Sequence, residues 1–193
     1  MTRQLFMAGC AVLALSAAAC SKKPDTTDQT AAAMPDANPA ATVPTPSDEA
    51  AAPDFATKAA ISDMYEIAAS KIALDRSTNP DVKQFAQMMI DAHTQTSADL
   101  KAAIAAAGLT ITLPDTLPQD RKDALTDLQN AMPKDFDKKF MNDQVDGHQA
   151  ALDLMARYAQ DGTVQQIKDF AAKTGPVVQT HLDKAKAIRD GLK

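Results

Sequence analysis

A chain of 193 residues with a formal charge of −5 and a pI near 5.1 lacks the clustered Lys and Arg that neutralise a nucleic-acid backbone, so no nucleic-acid partner is expected. Aromatic residues make up 4% and Trp is absent, which argues against a β-rich fold, whereas the Ala-rich runs with Leu, Met, Lys and Gln favour helix. An all-α domain is expected, and the length allows only one.

The chain opens with Arg3, an apolar run from Leu5 to Leu15, and small residues Ser16 to Ala19 before Cys20. This is the pattern of a secretory signal peptide, spanning residues 1–19. Ser21, Lys22, Lys23 and Pro24 break the apolar run well short of the ~20 residues that a membrane span requires. The segment resembles a bacterial lipoprotein signal, in which the cysteine is acylated and becomes the new N-terminus. Ala17 stands where such signals most often carry Leu, and Ala17 to Ala19 also fits ordinary signal peptidase, which would release a soluble periplasmic form. Cys10 falls within the signal, so Cys20 has no intramolecular thiol partner; lipidation of Cys20 is the expected outcome. Ser21 after that cysteine implies, by the same resemblance, export to the outer membrane.

Residues 20–53 read as a disordered Pro- and Ala-rich tether. Pro24, Pro35, Pro39, Pro44, Pro46 and Pro53 punctuate it, and only Met34 and Val43 are larger apolar side chains. It cannot bury enough surface to offset the entropy of ordering. Pro spacing keeps it extended, holding the following domain away from a lipid surface.

The folded domain is assigned to residues 54–193. A first helix is expected from Asp54 to about Arg76, with Ile61, Tyr65, Ala68 and Ile72 on one face. Phe55, Ala59, Ser62, Glu66, Ala69 and Ala73 form a second, small-residue line that lets another helix approach closely. Asn79 is a good N-cap and Pro80 a favoured first helical residue, so a short break separates two antiparallel helices. The second helix runs from Pro80 to Ala107 with Val82, Ala86, Met89, His93, Thr96 and Leu100 in its stripe, and ends at Gly108, suited to a left-handed C-cap.

Leu109 to Pro118 has no helical rhythm and reads as a crossover. A helix follows from Pro118 to about Ala131, and Pro133 starts another that carries Met141, Val145, His148, Leu152, Met155 and Ala159 at steps of four and three. After Gly162, Thr163 with Gln166 suggests a capping box. The last helix shows Ile167, Ala171, Thr174, Val178, His181, Ala185 and Ile188 in the same rhythm, and Gly175 with Pro176 is expected to interrupt and kink it. Two hairpins around one long connection describe a ferritin-like four-helix bundle.

Glu66, the FAQMMIDAH run from Phe85 to His93, the Phe136–Asp137 pair, His148 and the FAAKTGPVVQTH run ending at His181 resemble the domain of unknown function 4142. The resemblance covers Asp54 to Ile188. It implies an exported bacterial protein with a ferritin-like bundle and no established activity. One departure stands out: the family places Asp directly before the second-helix histidine, whereas Ala92 separates Asp91 from His93 here.

His93, His148 and His181 are the only histidines. Each lies near the middle of a predicted helix, with Glu66 on the remaining one. Such a set is a candidate metal site, and three imidazoles with one carboxylate suit zinc or copper better than calcium or magnesium. The weightier alternative is structural: each histidine is a buried polar group satisfied by Asp137, Glu66 or Tyr65 and fixes helix register. A di-iron oxidase needs Glu-x-x-His pairs, but Ile90, Val145 and Val178 stand three residues before the histidines. Met88, Met89, Met132, Met141 and Met155 sit at helical spacing, as core packing requires. No phosphate loop, domain cysteine or nucleophile elbow occurs. The expected function is a non-enzymatic envelope lipoprotein that binds a metal ion or a protein partner, with a metal-dependent enzyme as the rival.

Overall fold

Helix-favouring runs punctuated by Pro and Gly fold into five α-helices in the computed structural model, which describes residues 51–192. They are α1 (Ala52–Arg76), α2 (Pro80–Ala106), α3 (Gln119–Asn130), α4 (Pro133–Asp161) and α5 (Gln165–Gly191). Cys20, the signal segment and nearly all of the tether lie outside the described residues. No strand occurs among the described residues, and no helix there is long and apolar enough to cross a membrane.

Local signals set most boundaries. Asn79 Oδ1 accepts from the backbone N–H of Asp81 (2.9 Å) and Val82 (3.4 Å), closing the open end of α2. Gly108 adopts φ +66°, the left-handed turn that a side chain would disfavour. The fold starts two residues before Asp54, because Pro53 fits the first turn of α1 and Ala52 is buried against the bundle. The capping box at Thr163 does not form: α5 begins at Gln165 after Val164 with no side-chain cap. Burial of Ile167, with Val164 packed beside it, anchors that end instead. Pro176 does not interrupt α5, which continues as helix to Gly191. Gly175 lies where α5 runs close to α4, an added Cβ standing 3.9 Å from the Met155 Cβ.

The packing defines the topology. Helix α1 packs on α2 and α4, and α5 packs on the same two helices. At one end, Phe55 from the start of α1 stacks on Tyr158 from the end of α4, their ring centroids 4.1 Å apart, with Phe170 from the start of α5 edge-on at 6.2 Å. Leu100 and Ile104 from the end of α2 join this core. The opposite core gathers Ala73, Val82, Phe85, Phe136, Phe140, Leu182 and Ala185. Each long helix is therefore antiparallel to both neighbours, and α2 is parallel to α4 on the diagonal. The connection from α2 to α4 must then travel the length of the bundle, which is the reason for the 107–132 crossover.

Helix α3 lies in that crossover with Leu128 as its one buried residue. Arg76 holds its C-terminus, donating to the carbonyls of Leu128 (2.9 Å), Gln129 (2.6 Å) and Ala131 (2.7 Å) while its guanidinium lies 4.7 Å from the Phe136 ring centre. A cation at a helix C-terminus is favourable.

The small-residue line of α1 packs inward as expected, with Phe55, Ala59, Glu66, Ala69 and Ala73 buried. Of the other line Tyr65 is buried, whereas Ile61, Ala68 and Ile72 are only partly buried. Met89, Met141 and Met155 are core residues as expected, but Met132 is exposed, because it sits at the N-cap of α4 rather than on a packed face.

Candidate metal centre

Between the two apolar cores lies a layer of buried polar side chains: Asp63 and Glu66 from α1, His93 from α2, Gln144 and His148 from α4, and His181 from α5. The heptad-like rhythm places each histidine one turn from a core residue. His93 follows Met89 by four, His148 follows Val145 by three, and His181 follows Val178 by three. Helix packing then brings the rings together at mid-height. Centroids are 5.7 Å apart for His93 and His148, 6.1 Å for His93 and His181, and 5.5 Å for His148 and His181. One ring nitrogen from each histidine lies within 4.8 Å of those of the other two, and the three buried histidines can hold a metal ion.

Hydrogen bonds fix two of the rings and their tautomers. His93 Nδ1 lies 2.8 Å from Asp63 Oδ1, and the other carboxylate oxygen accepts from Ser97 Oγ at 3.0 Å. His148 Nδ1 lies 2.8 Å from the Gln144 carbonyl one turn back on its own helix. Because the carbonyl only accepts, His148 Nδ1 carries the proton, and in the neutral ring Nε2 presents a lone pair. His93 is held in the same sense by its carboxylate. The remaining buried nitrogens, His93 Nε2, His148 Nε2 and His181 Nδ1, have no hydrogen-bond partner. Three buried ring nitrogens without a hydrogen-bond partner, gathered this closely, are costly unless something occupies the space between them. A carboxylate behind a ligating imidazole orients the ring and raises its basicity.

Electrostatics divides the three. Burial pulls His148 down to about 4, with the positive charge of His93 adding to it against the Gln144 hydrogen bond. Burial, then the charges of His148, His93 and Lys184, also bring His181 to about 4. Burial works the same way on His93, but the Asp63 hydrogen bond with the Glu66 and Asp63 charges outweighs it and raises the pKa. At neutral pH His148 and His181 are therefore neutral and able to donate lone pairs.

Glu66, the fourth expected ligand, does not enter this group among the described residues. Its Oε2 accepts from Gln144 Nε2 at 2.5 Å. Gly147 makes room for it: an added Cβ there would stand 2.9 Å from Glu66 Oε1. Burial raises the Glu66 pKa, against the opposing effects of His93, Gln144 and Arg121. Asp137, Glu66 and Tyr65, the neighbours expected to satisfy the histidines, make no hydrogen bond to them; Asp63 and the Gln144 carbonyl do so instead. Asp63 was the residue that sequence reasoning missed. The available signal was its position one turn before Glu66, on the Ala56, Ala59 and Ala60 side of α1, where an unpaired aspartate would be out of place. The Gln144 contact is through backbone and leaves no trace in residue type.

Beside the histidines lies an internal space of about 20 Å³, lined by Asp63, His93 and His181 with Thr96, Thr174 and Met155 among its other walls. That is about the volume required for one water molecule. The donor set of three imidazoles, without a carboxylate in the group, suits zinc or copper and does not assemble a carboxylate-bridged di-iron pair.

No curated protein and no solved structure matches this chain significantly. A family profile described as "Domain of unknown function (DUF4142)" matches residues 17–188, so the chain belongs to that family, whose members share this domain and have no function assigned to it.

Proposed function

We propose that this protein is a metal-binding helical bundle in which His93, His148 and His181 hold one zinc or copper ion, with Asp63 orienting His93 from behind. We further propose that the bundle is presented in the periplasm of a bacterial cell envelope, tethered by lipid on Cys20 and serving a non-enzymatic role. The observation that carries the metal reading is the meeting of three buried imidazoles from three helices with a partnerless nitrogen on each. Two are already held by their opposite nitrogens, so the site is organised in advance of an ion. Metal–nitrogen bonds of about 2.0–2.1 Å would draw the rings closer than they stand. Rotations about the side-chain bonds can provide that movement.

The test is elemental analysis of protein purified without a histidine tag, followed by zinc and copper titration. One ion per chain is expected, with a higher Tm in its presence. His148→Ala should abolish both effects. Glu66→Gln should retain the stoichiometry and change affinity by less than about threefold, because Glu66 faces Gln144. Absence of stoichiometric metal, with a loss of about 1–3 kcal/mol in His148→Ala regardless of added ions, would identify the histidines as packing elements. Protein-partner binding would then be the reading to pursue.

A further inference from the structure

We infer that an ion in this centre keeps one exchangeable coordination position, filled by solvent or by a slim ligand of one to three atoms and closed to anything the size of a ring. The inference rests on the metal reading above and specifies what else the ion can bind. Among the described residues the convergent group contains three histidine nitrogens and no fourth histidine, cysteine or carboxylate donor. Glu66 and Gln144 are engaged with each other, and Asp63 is engaged by His93 and Ser97. A tetrahedral ion with three protein ligands takes its fourth from outside the chain.

The structure provides a place for that ligand. The space of about 20 Å³ touches His93 and His181, two of the three rings, and is large enough for one small group. Met155 and Val178 limit it, both buried. Thr96, Thr174 and Val177 form the wall shared with a surface groove of about 400 Å³ between α2 and α5. Val177 is 48% exposed, so this wall is about one side chain thick. Small movements of these three side chains connect the inner space to solvent without parting the helices. Asp99, Asp169 and Lys173 lie along the same groove.

Cobalt(II) is the probe, because its visible spectrum reports coordination directly. The full-length protein is loaded with cobalt and titrated separately with azide and with imidazole. Azide should shift the spectrum and saturate at one per cobalt, and imidazole should leave it unchanged. Val178→Ala, which enlarges the inner space, should admit imidazole. Thr174→Leu, which fills its edge, should weaken azide binding at least tenfold with cobalt uptake retained. An unchanged spectrum with azide on the cobalt-loaded protein overturns the inference and leaves the metal reading standing. Equal responses to azide and imidazole in the unsubstituted protein overturn the size limit and with it the assignment of the inner space. Failure to take up cobalt, zinc or copper overturns both readings together.

Discussion

The apolar ends of the bundle and the polar layer between them are built on the same helices by the same spacing, yet they are stabilised differently. At the Phe55 end, stacked and edge-on rings fill the space with apolar contact when the chain folds. In the middle, folding brings three imidazoles together, removes them from water and leaves a nitrogen on each without a partner. The ends hold the helices in place, and the middle uses that rigidity to keep an unfavourable cluster assembled. A site of this kind is destabilising by itself and is offset by packing on both sides.

That contrast can be broken in three ways. The largest effect is expected from Phe55→Ala, which removes the stack on Tyr158 and the edge contact with Phe170 and should cost about 3–5 kcal/mol. Denaturant unfolding should give the same loss with and without zinc. A loss that depends on zinc would mean that the ends and the middle are coupled.

Next is the conversion of the middle into more of the same apolar core, His148→Leu, examined with chelator present. The folded His148 pKa is depressed to about 4 while the unfolded value is near 6.5. Its contribution to stability is therefore present above pH 6.5 and is lost as pH falls through about 4, because the unfolded chain binds a proton that the folded chain refuses. Relative to wild type, the Leu variant should gain stability across that window, reaching about 3 kcal/mol at its acid end. Comparing the two proteins cancels the opposite contribution of Glu66, whose raised pKa favours folding as pH falls. A pH-independent difference would show that His148 is not buried neutral.

The smallest effect sharpens the comparison within the layer. Asp63→Asn keeps an acceptor for His93 and removes the charge, so metal affinity should fall about 10–100-fold. Stability without metal should change less than in Phe55→Ala. Unaltered affinity would mean that the carboxylate serves folding alone.

Much of this was legible in the residues. Pro53, Asn79, Pro80, Gly108 and Pro133 marked where helices begin and end, because their backbone restrictions act within a few residues. The four-and-three rhythm put His93, His148 and His181 on inward faces, and that is where they lie. Other expectations failed where neighbours decide the outcome. Thr163 with Gln166 has the composition of a capping box, but burial of Ile167 sets the start of α5. In the Ile61 row of α1 only Tyr65 is buried, and Ile61, Ala68 and Ile72 lie partly exposed at the margin. Glu66 had the right height for a fourth ligand, and Asp63 one turn away was the residue that reached a histidine.

The sequence by itself determined the helices, the long crossover, the inward placement of the three histidines and membership of the family, because periodicity, capping and turn chemistry are local properties of the chain. Only the tertiary structure decided which ring nitrogens converge, which carboxylate supports them and where the inner space opens. Those features depend on rotation and separation between helices, where one turn or one ångström exchanges Asp63 for Glu66, and side-chain spacing along one helix carries no record of its distance from the next.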